Sequence, residues 1–196
     1  MYYCIYTAIS SYMDTSYLVK EAKQGSAAAQ KCIFDQWAAK MLIICRRYVK
    51  SVEDAEELML DGFCKFFTKL DSFDYQGEAA LFGWLKKIMI NECLMFMRRK
   101  NVFMLVSDSM PEDVHLEEDG LNRMTAAEIF NLIVQLPAGY RTVFNLYEIE
   151  GMNHREIAEL LGISEGTSKS QLSKAKAALQ KMLMQNESDY AKRNSK

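Results

Sequence analysis

The densest run of side chains suited to recognition chemistry lies at Ser164, Gly166, Thr167, Lys169, Ser170, Gln171 and Lys174. Hydroxyls, an amide, two ammonium groups and a glycine that lets backbone come close are the types that meet base edges and phosphates in a DNA groove. Between residues 165 and 181 the bases are Lys169, Lys174, Lys176 and Lys181, against one acid, Glu165. The pattern turns Gly166, Thr167, Lys169, Ser170 and Gln171 outward. A glutamine offers one donor and one acceptor, the arrangement that pairs with adenine. Gln171 is therefore expected to favour adenine if it reaches a base, leaving phosphates to Lys169 and Lys174.

Two helices must hold that set in place. In MNHREIAELLGISEGTSKSQLSKAKAAL (residues 152–179), Asn153 and Glu156 form a capping-box pair, with Met152 and Ile157 at the staple positions. Ile157, Ala158 and Leu161 make a buried stripe. Gly162 stops the helix where a left-handed residue is wanted, and Ser164 caps the next one. The unit reads as a helix-turn-helix, which lays its second helix in the major groove. A plain hairpin of two packed helices is the competing reading, and the basic second helix weighs against it.

Catalytic and metal chemistry find little support. The chain has two histidines, His115 and His154, and five cysteines (Cys4, Cys32, Cys45, Cys64, Cys93) without a CxxC spacing. Four of those cysteines sit in apolar helical patterns and are expected to be buried, reduced thiols. No cofactor, metal or small-molecule substrate is implied. There is no apolar run of about twenty residues to cross a membrane.

The 196 residues carry a net charge of −2, with two near-neutral blocks separated by an acidic one. Residues 101–125 hold six acidic side chains and one basic. Such a total is poor for a protein that grips DNA alone, because phosphate neutralisation supplies most non-specific affinity. Residues 1–12 read as an N-terminal extension, and Met13 is an alternative start of translation. A first helical domain is expected over 13–101. Its first helix, from Thr15 to Gln24, turns Tyr17, Leu18 and Ala22 to one side. The second is capped by Ser26. The third, over 53–70, buries Ala55, Leu58, Met59, Phe63, Phe66, Phe67 and Leu70, and the fourth spans 80–100. Residues 102–124 form an acidic linker and 125–184 the helix-turn-helix domain, opened by a Thr125–Glu128 capping box. Residues 185–196 form a polar, frayed tail. The fold class expected is all-α.

Two blocks together resemble bacterial RNA polymerase sigma factors of the extracytoplasmic-function (ECF) group. DAEELMLDGFCKFF with FGWLKKIMINECLMFMRRK looks like that family's second domain, which binds polymerase and opens the minus-10 element. LPAGYRTVFNLYEIEGMNHREIAELLGISEGTSKSQLSKAKAAL looks like its fourth, whose helix-turn-helix reads the minus-35 element. The resemblance implies that Asp54, Glu57, Leu58 and Asp61 contact core polymerase, with Leu60 standing where the family usually has Gln. It implies that Phe82, Trp84, Leu85, Ile88, Asn91, Arg98 and Arg99 belong to the melting helix. Asn91, Arg98 and Arg99 then face minus-10 DNA, and the loop 71–80, with Phe73 and Tyr75, captures an extruded base. Trp84 is expected in the core. In the recognition helix Ser168 replaces the usual Val, losing a packing contact with Ile163, and Gln171 replaces the usual Arg.

The resemblance thus implies a cytoplasmic, non-enzymatic factor whose partners are core RNA polymerase, promoter DNA in duplex and single-stranded form, and an anti-sigma factor. The alternatives are a helix-turn-helix regulator that does not act through polymerase, and a helical adaptor that binds only protein.

Overall fold

The computed structural model describes residues 14–100 and 125–194, and all regular structure among them is helical. The expected extension at 1–12, the start at Met13 and the linker at 102–124 lie outside the described residues. The chain divides into two compact units, one of residues up to 46 with 51–93, the other of residues 47–50 with those from 94 onward.

The first unit is built on α1 (Thr15–Lys23), α2 (Ala27–Tyr48), α3 (Val52–Lys69) and α4 (Glu78–Arg99), with a short 3-10 turn at Leu70–Ser72. Three of the helix starts have a side-chain reason. Asp14 accepts from the Ser16 amide, Ser26 from Ala29, and Ser51 from Asp54, satisfying donors that helix geometry leaves unpaired. Ile33, Trp37 and Met41 of α2, Ala55, Phe63 and Phe66 of α3, and Leu81, Leu85 and Met89 of α4 form the core. Gly62 permits a close approach there, since a Cβ would collide with the Met89 side chain. Tyr17 departs from expectation: α1 buries Leu18, Val19 and Ala22, leaving Tyr17 half exposed. Cys64 is also exposed, because it lies off the α3 stripe of Ala55, Leu58, Met59, Gly62, Phe63 and Phe66.

The second unit contains α5 (Ala126–Gln135), α6 (Ala138–Phe144), α7 (His154–Leu161) and α8 (Glu165–Asn194). The Thr125–Glu128 capping box forms as expected. Leu132, Ile133 and Leu136 pack with Ala175, Leu179 and Leu183 into one core. α6 ends in a π turn at Asn145–Ile149, with the Glu150 amide reaching back to the Asn145 carbonyl. α8 runs to Asn194, through the segment expected to fray; residues 185–194 contain no proline or glycine to stop it.

Arg141 ties this unit together. Its side chain is 4% exposed, and Nη1 donates to the Val134 and Leu136 carbonyls at 2.8 and 3.0 Å. Those are carbonyls at the C-terminal end of α5, which the helix itself cannot pair. Nε and Nη2 both donate to the carbonyl of Tyr48, in the same unit, at 3.2 and 2.8 Å. Burial pulls the guanidinium below its ordinary pKa. Replacing Arg141 with Met is expected to cost about 3 kcal/mol, since buried carbonyls lose charged donors. Lys restores the charge but not the planar fork. Urea midpoints of the two variants, compared with the parent, measure both effects.

Candidate polymerase and nucleic-acid interfaces

In the first unit α3 sorts its residues by the helical period. Asp54 is partly exposed, and Glu57 and Asp61 are exposed one turn apart. Leu58 is 7% exposed and shares the stripe of Ala55, Met59 and Phe63, as its helical spacing implies, so the polymerase contact that the resemblance implied for it is corrected to core. Leu60 is 50% exposed and supplies the apolar surface beside the two acids. At the N-terminus Ser51 and the backbone amide of Glu53 hydrogen-bond the Glu53 carboxylate, holding its pKa below the ordinary value.

The loop after α3 is aromatic. Phe73 stacks on Trp84 at 4.6 Å between centroids and 11° between planes, and Trp84 in turn tilts against Phe66 at 5.0 Å. Trp84 is only half buried, a correction to its expected place in the core; it is the platform under Phe73. Tyr75 is half buried too, its pKa raised by burial and by the nearby Asp14 and Glu78 carboxylates. Asn91 is exposed on α4. Arg98 and Arg99 are exposed in the second unit, where Arg98 Nη2 donates to the Leu160 carbonyl.

The helix-turn-helix folds as its sequence implies. The Asn153 side chain accepts from the Glu156 amide at 3.0 Å, and the Glu156 carboxylate accepts from the Asn153 amide at 2.8 Å. Gly162 closes α7 at φ 69°, a left-handed conformation that favours glycine. Ser164 then caps α8 by accepting from the Thr167 amide at 3.0 Å, and its hydroxyl meets that of Thr167 at 2.9 Å. Ser164, Gly166 and Lys169 are exposed, and Thr167 and Ser170 partly so.

Two expected DNA residues are not on the surface. Gln171 is fully buried and Lys174 is 6% exposed. The reason is angular: Gln171 lies one turn before Ala175 and Lys174 one turn before Ala178, both packed into the core cluster. Neither amide atom of Gln171 has a hydrogen-bond partner. The adenine contact expected of Gln171 is therefore absent from the exposed surface.

Sequence reasoning missed His154. Its Nδ1 lies 2.9 Å from the hydroxyl of Ser168, a fully buried residue, and its ring stacks on Tyr147 at 4.5 Å. The contact replaces the apolar one that serine was expected to forfeit. In the same unit Lys176 pairs with Glu148 at 2.8 Å. The signal in the sequence was a polar residue, Ser168, on the buried stripe of α8.

Comparison with known proteins matches residues 33–102 to "Sigma-70 region 2" and residues 126–179 to "Sigma-70, region 4". The chain belongs to the sigma-70 family. Within that family it is an ECF sigma factor, which binds core RNA polymerase and directs promoter recognition and transcription initiation. It is 28% identical to the ECF RNA polymerase sigma-E factor of Haemophilus influenzae, over 83% of this chain and 92% of that one. It is 27% identical to the ECF RNA polymerase sigma factor SigW of Bacillus subtilis, over 84% and 94%. A solved structure of CnrH in complex with the cytosolic domain of CnrY aligns over 87% of this chain and 97% of that one, at TM-score 0.46 and 21% identity.

The pKa of His154 is depressed, first by burial, then by Lys169 and Lys176, with Glu165 acting in the opposite sense. A histidine whose folded pKa lies below its unfolded value takes up its proton more readily when unfolded. The sigma factor's helix-turn-helix is thus at full stability above about pH 6.5 and loses stability as pH falls from there through the folded pKa. Urea midpoints measured from pH 7.5 down to pH 5 are expected to fall, and His154→Gln to flatten the decline.

Proposed function

We propose that this sigma factor divides its work among three surfaces. The exposed acidic face of α3, with Asp54, Glu57 and Asp61 around Leu60, docks on core polymerase. The loop carrying Phe73 and Tyr75, together with Asn91, Arg98 and Arg99, handles minus-10 DNA and stacks an extruded base of the non-template strand. The start of α8, with Ser164, Gly166, Thr167, Lys169 and Ser170, approaches the minus-35 duplex. The observation that carries the reading is Glu57 and Asp61, one turn apart and both exposed beside a half-exposed leucine. Two neighbouring carboxylates beside an apolar side chain suit a basic, partly apolar partner surface.

The protein acts without catalysing a reaction of its own. It works in the cytoplasm, where the polymerase is; among the described residues no helix is long and apolar enough to cross a membrane. An anti-sigma factor restrains it by covering one of these surfaces.

Reversing both acids (Glu57→Lys with Asp61→Lys) is expected to abolish binding to core polymerase with helical content unchanged. Pull-down against purified core, with circular dichroism of the variant, measures this; retained affinity means that α3 faces only solvent. Free protein is expected to bind promoter duplex poorly at physiological salt, because its net charge is −2. Core polymerase should raise that affinity steeply. Tight, specific binding by the free chain in a mobility-shift assay would instead mark a regulator independent of polymerase.

A further inference from the structure

The loop proposed to capture an extruded base is gripped by a residue fifty positions earlier in the chain. Lys23 is the last residue of α1, and its Nζ donates to the Phe73 carbonyl at 2.6 Å, with a longer contact of 3.5 Å to the Asp71 carbonyl. α1 itself is fixed, since Leu18, Val19 and Ala22 are buried in the core. From the other side the loop is tied to the end of α3 and the 3-10 turn after it: the Ser72 hydroxyl donates to the Lys69 carbonyl at 2.8 Å, and the Phe73 amide to the Leu70 carbonyl at 3.0 Å. Phe73 is thereby held with an extended backbone, and its ring lies flat on Trp84. At the opposite end of α1, Asp14 caps the helix and lies near enough to Tyr75 to raise its pKa. The short helix thus runs as a splint beside the loop.

We propose that Lys23 is a positioning residue for strand opening, holding the Phe73 backbone so that the loop is preformed to receive an unstacked base. The proposal rests on the base-capture reading of the loop. A preformed loop binds the base without first losing its own conformational freedom. An ammonium on main-chain carbonyls suits the task, because the grip survives changes in the loop's side chains.

The test uses holoenzyme assembled with Lys23→Met, with Lys23→Arg, and with residues 73–78 replaced by a Gly/Ser segment. Core affinity, closed-complex formation on a duplex promoter, and the rate of opening read by a fluorescent base analogue in the non-template strand are measured for each. Lys23→Met is expected to leave the first two unchanged and to slow opening about tenfold, a loss in keeping with misplaced binding groups. Lys23→Arg, which can still donate to the Phe73 carbonyl, should recover most of it. Normal opening with Lys23→Met beside slow opening with the loop replacement overturns the role of Lys23 alone. Normal opening with the loop replacement overturns the base-capture reading, and the proposal with it. A weaker salt dependence of opening in Lys23→Met, by about 0.7 in the log–log slope for a single-strand phosphate, would show that Lys23 grips DNA directly and is no positioning residue.

Discussion

One buried stripe decides what α8 can do. Ser168, Leu172, Ala175, Leu179 and Leu183 recur at three- and four-residue intervals and face the core, so every other side chain of the helix has its direction assigned. The outward arc at its start is left to Glu165, Gly166, Lys169 and, in part, Thr167 and Ser170. Moving one stripe residue to the surface would rotate all the others with it. In that stripe His154 meets the Ser168 hydroxyl; an unpaired hydroxyl there would carry a desolvation penalty of about 1–3 kcal/mol. Recognition and packing on this helix are therefore one problem with one solution.

The same constraint explains which parts of the molecule were legible in the sequence. Helix starts were readable because a capping box is local chemistry: Thr125 with Glu128 and Asn153 with Glu156 need only their own spacing. The stop at Gly162 was readable for the same reason, and the core face of α3 from its helical spacing. The direction of Gln171 was not. Its residue type advertises a base contact, whereas its burial depends on the packing of Ala175 and Ala178 one turn further on. At Leu58 the helical spacing and the likeness to a family disagreed, and its burial follows the spacing, since such a likeness marks a residue's position without saying whether it contacts a partner or supports the residues that do.

Long-range polar contacts were invisible for a different reason. Lys23 with Phe73 and Arg141 with Tyr48 join a side chain to a main-chain carbonyl, and every residue has that acceptor. No pairing of residue types marks them. The sequence marked an aromatic loop at 71–80 without showing what holds it. In the structure it is held by donors on both sides, and its phenylalanine rests on a tryptophan.

The π turn at Asn145–Ile149 has a consequence for how this unit can vary. A π turn accommodates one residue more than an α-helical turn, so the chain beyond it is rotated by about 100° relative to a regular continuation. Tyr147 sits within that extra turn, and its ring lies on His154. The turn therefore sets where Tyr147 and Glu148 point at the end of α6, just before the irregular residues 150–153 that lead into α7. Lengthening or shortening the chain by a single residue within the turn would swing Tyr147 off the His154 ring and Glu148 off Lys176, so this short stretch tolerates substitution more readily than a change of length.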